Sequence, residues 1–256
     1  MALTGISLIR YGLEVNAFNS SLDFKNSSGG SQINATLLTG FYSLTGLMDE
    51  VVRAMNAADP ANTYGYTIDR SINSGTENRV TITTSGVFLS LLFATGTRAI
   101  SSCATLLGYT ATDKTGATSY TSQSSAGETF LTARIGYTYQ APETTRKIQG
   151  TVNISASGEK EAIVFNVMQF LEVEYRHETQ ADTFTTWADF FTWAIRQRPF
   201  EITPIASIYN TFYDVTLDST EADGKGLGYQ MKEMLPEFPF YYRTGKLRLR
   251  LKATIL

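Results

Sequence analysis

Residues 33–37 alternate Ile33, Ala35 and Leu37 against Asn34 and Thr36. That is the period of a half-buried strand. Strands are expected over Gly5 to Leu13, Ser21 to Phe24 and Gln32 to Leu38, with hairpin or loop chemistry at Asn26-Ser27-Ser28-Gly29-Gly30. The period then lengthens. Leu44, Leu47, Met48, Val51, Val52 and Met55 share one helical face, Ser43 is placed to cap, and Asp59-Pro60 stops the run, so a helix is expected over Ser43 to Ala58. Tyr64 to Arg70 and Arg79 to Thr84 read as strands joined by a turn at Asn73-Ser74-Gly75, and a short apolar stretch, Phe88 to Phe93, follows. Gly96-Thr97 leads into a second expected helix, Ala99 to Leu107, stopped by Gly108. Residues 110–129 are nearly all Thr, Ser, Gly, Ala and Asp, which predicts a long surface loop or an arm ordered by a neighbour.

Further on, strands are expected at Lys147 to Ser155, Ala162 to Glu174, Phe200 to Pro204 and Phe212 to Asp218. Phe184, Trp187, Ala188, Phe191 and Ile195 recur at helical spacing and predict an aromatic helix over Thr183 to Arg196. The final strand, Tyr241 to Ile255, contains Lys246-Leu247-Arg248-Leu249-Arg250-Leu251-Lys252, with Leu on one face and cations on the other. The class that follows is α+β, dominated by strands.

Composition divides the chain. Residues 1–142 hold 8 Lys/Arg and 9 Asp/Glu, whereas 143–256 hold 13 and 15, so the second part is about twice as densely charged. We therefore place a domain boundary after Pro142, giving modules 1–142 and 143–256. Length and a 43% hydrophobic content suffice for a buried core, and 18% charge excludes a charged coiled coil. One His and one Cys exclude zinc sites of several His or Cys ligands and any intrachain disulfide. A net charge of −3 argues against a general nucleic-acid binder. No basic segment followed by an apolar run opens the sequence, and the longest apolar run, Val87 to Ala94, is far short of a membrane span, so a soluble chain made in a cytoplasm is expected. The sequons at Asn19, Asn26, Asn34 and Asn153 are the number chance supplies in an Asn/Ser/Thr-rich chain.

Few residues invite chemistry. Gly224-Lys225-Gly226-Leu227-Gly228 lacks the phosphate-loop spacing and reads as a mobile loop. His177 has no nucleophile-elbow serine to serve and reads as structural, and Cys103 reads as a small buried core residue. Glu172 and Glu174 share a strand face and Asp49 adjoins Glu50, yet nothing else marks a cleft; solvated carboxylates are expected. The cations Arg243, Lys246, Arg248, Arg250 and Lys252 have two readings. One is the polar face of a half-buried strand. The other is a row that meets an acidic neighbouring subunit, with DNA as the lesser alternative.

Two stretches resemble virion structural proteins of tailed bacteriophages. The first runs in order through Leu22-Asp23-Phe24, Gly40-Phe41-Tyr42-Ser43-Leu44, the following helix and Tyr64-Gly65-Tyr66-Thr67-Ile68. It continues through Val80-Thr81-Ile82-Thr83, Leu91-Leu92-Phe93-Ala94-Thr95-Gly96-Thr97 and Leu107-Gly108-Tyr109, and closes on Asp113-Lys114-Thr115-Gly116-Ala117-Thr118-Ser119-Tyr120. The second comprises Trp187, Phe190-Phe191-Thr192-Trp193-Ala194, Arg198-Pro199-Phe200-Glu201-Ile202-Thr203-Pro204, Tyr213 and Leu247-Arg248-Leu249-Arg250. It is similar to distal-tail proteins, in which a helix packs across a β-sandwich.

The resemblance implies a β-rich module with two helices followed by a distal-tail-like β-sandwich with one. It implies a virion component, a tail-tip or distal-tail ring protein joining tail tube to baseplate or fibres. Its partners would be identical subunits in a three- or six-fold ring and other phage structural proteins, with no membrane, no cofactor, no catalytic residue and at most transient DNA contact. The subunit-interface candidates are then Thr115 and Tyr120 together with the cationic row. Three alternatives stay open: a neck, tail-tube or head-decoration protein; a carbohydrate-binding receptor-recognition module using exposed Tyr and Trp; and a glycosidase using Glu172 and Glu174.

Overall fold

In the computed structural model, residues 6–70, 78–134, 143–154, 160–178, 188–203, 213–217, 229–233 and 243–251 are described. The alternating segments at the start fold as β1 (Ile6–Tyr11), β2 (Leu13–Val15), β3 (Ser21–Lys25), β4 (Ile33–Thr36) and β5 (Gly40–Tyr42). The helical period becomes α1 (Leu44–Ala58), with the Ser43 side chain accepting from the Gly46 N–H at 3.1 Å. Asp59 ends it, its N–H donating to Met55 O. The face carrying Leu44, Leu47, Met48, Val51, Ala54 and Met55 is buried. Each of the larger of these side chains contributes roughly 1.5–3 kcal/mol.

After α1 come β6 (Tyr64–Ile68), β7 (Val80–Thr84), β8 (Leu89–Leu91), β9 (Lys114–Ala117), β10 (Ser119–Thr121) and β11 (Thr129–Arg134). β2 to β10 form small antiparallel sheets: β4-β3-β8-β9, β10-β7-β6 and β2-β5. Leu22 and Phe24 of β3, Val80 and Ile82 of β7, and Leu89 and Leu91 of β8 join the buried face of α1 in one core. Phe24 meets Tyr64 edge-on at 5.2 Å between ring centroids. The turn expected at Asn73-Ser74-Gly75 lies outside the described residues.

Two expectations for this region are corrected. Ala99–Ser101 forms a single 3-10 turn, not the start of a helix to Leu107. Ser102 is extended (φ −68°, ψ 139°) and bridges Ser21, and the Cys103 N–H donates to Ser21 O at 2.9 Å. Pairing to β3 takes the backbone groups that a helix would have used. Cys103, Ala104 and Leu107 are buried by the turns that follow, which is why their spacing imitated a helix. Gly108 closes the turn at φ +76°, where a Cβ would lie 2.3 Å from Ser124 O. Residues 110–129 likewise are not one long loop, for they hold β9 and β10. β9 is exposed at Thr115, Gly116 and Ala117, yet it has ladder partners in β8.

The later strands are β12 (Glu143–Ile154), β13 (Lys160–Glu178), β14 (Phe200–Thr203), β15 (Tyr213–Leu217), β16 (Tyr229–Glu233) and β17 (Arg243–Leu251). Their sheet of eight strands runs β11-β1-β14-β15-β17-β13-β12, with β16 branching off beside β17. Of the expected aromatic helix, α2 (Ala188–Ala194) is described, and 183–187 lie outside the described residues. Phe190 of α2 is buried edge-on against Phe200 of β14, 5.0 Å between centroids. The fold is thus β-rich α+β.

Packing separates two compact units: Met1–Ile9 with Leu131–Leu256, and Arg10–Phe130. In sequence, the second is an insertion between β1 and β11. The composition shift at 142 and this division describe different properties, charge density in one case and packing in the other.

Candidate assembly surface

Thr115 lies exposed on β9, an outer strand of its four-stranded sheet. Tyr120 is turned inward. Its Cα pairs with Ile82 in the β10–β7 ladder, and its carbonyl accepts from the Tyr109 hydroxyl at 2.6 Å. Its own hydroxyl accepts from the Ala117 N–H (2.8 Å) and donates to Leu89 O (3.1 Å). Those contacts sit where the β8–β9 register shifts, so one phenol replaces a ladder bond there and ties two sheets together.

The cationic strand is β17, and both of its edges are occupied. β13 lies on one side; β15 and β16 divide the other. The register sets Arg248 opposite Glu172, Lys246 opposite Glu174 and Arg243 opposite Glu178. Glu233 of β16 is the other neighbour of Arg243. Arg250 sits between Phe170 and Thr216, and Lys252 lies outside the described residues. Acids of the same chain therefore occupy the register positions opposite three of the cations, where opposite charges are favourable.

Three exposed apolar residues that the sequence reading passed over lie on segments that meet at one end of the β4-β3-β8-β9 sheet. Phe18 (83% exposed) precedes Ser21 by three residues, Leu38 (60%) follows Thr36 by two, and Ile100 (97%) precedes Ser102 by two. Ser21 is the Cα partner of Thr36 and the bridge partner of Ser102, which brings the three segments together. The only sequence signal was large apolar residues among Asn, Ser and Thr at segment ends.

The same sheet carries an ion pair between a buried carboxylate, Asp23, and the half-buried Arg98. Asp23 Oδ1 accepts from Asn34 Nδ2 (2.7 Å) and Arg98 Nε (3.1 Å), and Oδ2 accepts from the Arg98 N–H (2.7 Å). The Arg98 guanidinium also donates to Thr36 Oγ1 and Ala35 O. Gly96 is required beside it, because a Cβ there would lie 2.6 Å from both Asp23 Oδ2 and Leu92 O.

Other carboxylates are similarly committed to structure. Burial pushes the pKa of Asp59 up, but donors from Tyr64, Asn62, Asn26 and the Ala61 N–H outweigh it and leave the pKa lowered. Glu50 is lowered in the same way, burial being outweighed by Arg53 and the Leu38 N–H. Asp113 is lowered by the Thr95 hydroxyl and the Ala94 and Thr95 N–H groups, again against burial. Asp49 accepts from the Tyr66 hydroxyl at 2.7 Å. Burial pushes the Cys103 thiol up to about 12, so it carries no thiolate at neutral pH, as its core reading required. Trp193 is buried, with Arg198 over its ring at 4.9 Å and its N–H donating to Pro199 O. His177, Glu172 and Glu174 all lie on β13. Among the described residues no three His, Cys, Asp or Glu gather as a metal site, and no helix is long and apolar enough to cross a membrane.

No family model matches the chain, and no curated protein matches it.

Proposed function

We propose that this chain is a structural component of a tailed-phage particle, a tail-tip or distal-tail ring protein that works by self-association within the virion. The observation that carries the assembly part of the reading is the group of Phe18, Leu38 and Ile100. Large apolar side chains left exposed on adjoining segments are the usual anchors of a protein interface. The particle part rests on the resemblance of the run from Leu22 to Tyr120. Its support is that the quoted residues coincide with the tie points of one unit. Asp23 holds Arg98, Gly96 admits that pair, Tyr109 meets the Tyr120 carbonyl, and Asp113 caps Ala94 and Thr95. A set of residues that jointly builds one unit is a more specific signature than a composition.

The test has two parts. The purified chain is examined by sedimentation and electron microscopy, and particles from a lysate producing it are analysed by mass spectrometry. Rings of three or six subunits, with the chain present in the particle, are expected. A chain that stays monomeric at high concentration and is absent from particles refutes the reading.

A further inference from the structure

At the base of the inserted unit one side chain touches both the incoming and the outgoing segment. Asn78 is fully buried. Its Oδ1 accepts from Nη1 of Arg10, on the incoming β1, and from Nη1 of Arg70 at 3.3 Å. Its Nδ2 donates to Oε2 of Glu128, one residue before the outgoing β11. Its N–H donates to Asp69 O at 2.7 Å, and its carbonyl accepts from the Ala126 N–H at 3.0 Å. The Arg10 guanidinium also lies over the Phe130 ring, 5.3 Å from its centroid. Asn78 sits at φ +60°, a conformation that Asn and Gly adopt far more readily than other residues. An amide is the one side chain of this size that accepts from two arginines and donates to a carboxylate at once.

We propose that Asn78 is a latch that, beside the β1–β11 pairing, holds together the segments entering and leaving the inserted unit, and that releasing it loosens those segments while the core of the unit stays folded. The core around α1 is built from other residues, so local opening and global unfolding are separable. This inference does not depend on the phage reading.

Hydrogen exchange by mass spectrometry on the full chain tests it. Asn78→Gly removes the latch and keeps a backbone that tolerates φ +60°. Exchange in peptides covering 9–12 and 126–131 should rise about tenfold, with peptides of α1 within about twofold of wild type. Glu128→Ala, which leaves Asn78 in place, should open the same peptides if Asn78→Gly does not fold. Glu128→Gln keeps an acceptor for Nδ2 and should remain near wild type. Base peptides at wild-type rates in the folded release variants overturn the proposal. So does equal acceleration in α1, which would make Asn78 only a contributor to overall stability.

Discussion

Asp23→Ala should unfold the inserted unit far more readily than a surface substitution. The side chain is 2% exposed and Arg98 is 30% exposed. Removing the carboxylate leaves the Arg98 N–H and the Asn34 amide without this acceptor, and the guanidinium without its counter-charge. Breaking a buried ion pair by deleting one partner costs about 3–5 kcal/mol. Arg98 regains some hydration and keeps Thr36 Oγ1 and Ala35 O, which places the expected loss near the lower end, about 3 kcal/mol. Both tryptophans, Trp187 and Trp193, lie outside the Arg10–Phe130 unit, so their fluorescence is a poor reporter. The better assay is hydrogen exchange of the slowest amides in α1, which open only when that unit unfolds. A loss of about 3 kcal/mol accelerates them roughly a hundredfold. Asp23→Asn keeps one acceptor oxygen and the side-chain shape, and should fall between. Rates for Asp23→Ala within about threefold of wild type would refute the assignment of Asp23 as the tie between β3, β4 and the Arg98 turn.

Gly96→Ala should cost about 1–3 kcal/mol by overpacking against Asp23 and Leu92, read as an earlier urea midpoint for the unit. Tyr120→Phe should cost about 1 kcal/mol and speed exchange of the Ala117 amide; an unchanged amide would deny the phenol its bridging role. The folded pKa values of Asp59, Glu50 and Asp113 are depressed, so their stabilisation is present above the unfolded carboxylate range of about 3.9–4.3 and is lost as pH falls below it. Urea unfolding should weaken between pH 5 and pH 3, with a shallower loss in Asp59→Asn; a flat profile contradicts this. Arg248→Glu should destabilise by about 0.2–1 kcal/mol by facing Glu172, and adding Glu172→Lys should restore it, as a double-mutant cycle would show.

The legible parts of the sequence were those governed by short-range period and local chemistry. The helix from Leu44 to Ala58 announced itself by six apolar positions, a capping serine and a proline, and all of these act within a few residues. The strands at Ser21, Ile33, Tyr64 and Val80 were readable for the same reason. Misreadings fell where partners come from far along the chain. Cys103 and Leu107 have helical spacing, yet the backbone at Ser102 and Cys103 pairs with Ser21, about eighty residues away. The segment around Thr115 looked like a loop because its strands are polar, and polarity could not reveal that β8 and β7 lay beside it. Asp23 with Arg98, and Asn78 with Arg10 and Glu128, were invisible for the same reason.

The cationic strand shows what this means for locating an assembly surface. Alternation within Lys246 to Lys252 assigns Leu and cations to opposite faces of a strand, but it says nothing about the strands that flank them. In the fold, Glu172, Glu174 and Glu178 occupy the register positions opposite Arg248, Lys246 and Arg243, so an acidic neighbour would approach cations whose cross-strand positions already carry acids. A tethered partner acts at a high effective concentration, whereas a separate subunit must first overcome the entropy of association. An interface drawing on these charges therefore starts at a disadvantage. Phe18, Leu38 and Ile100 face the opposite balance, because their apolar area is still in water and covering it is favourable for whatever surface fits. Polar substitutions at those three positions, read by subunit association, are the more discriminating probe of assembly than charge reversal along β17.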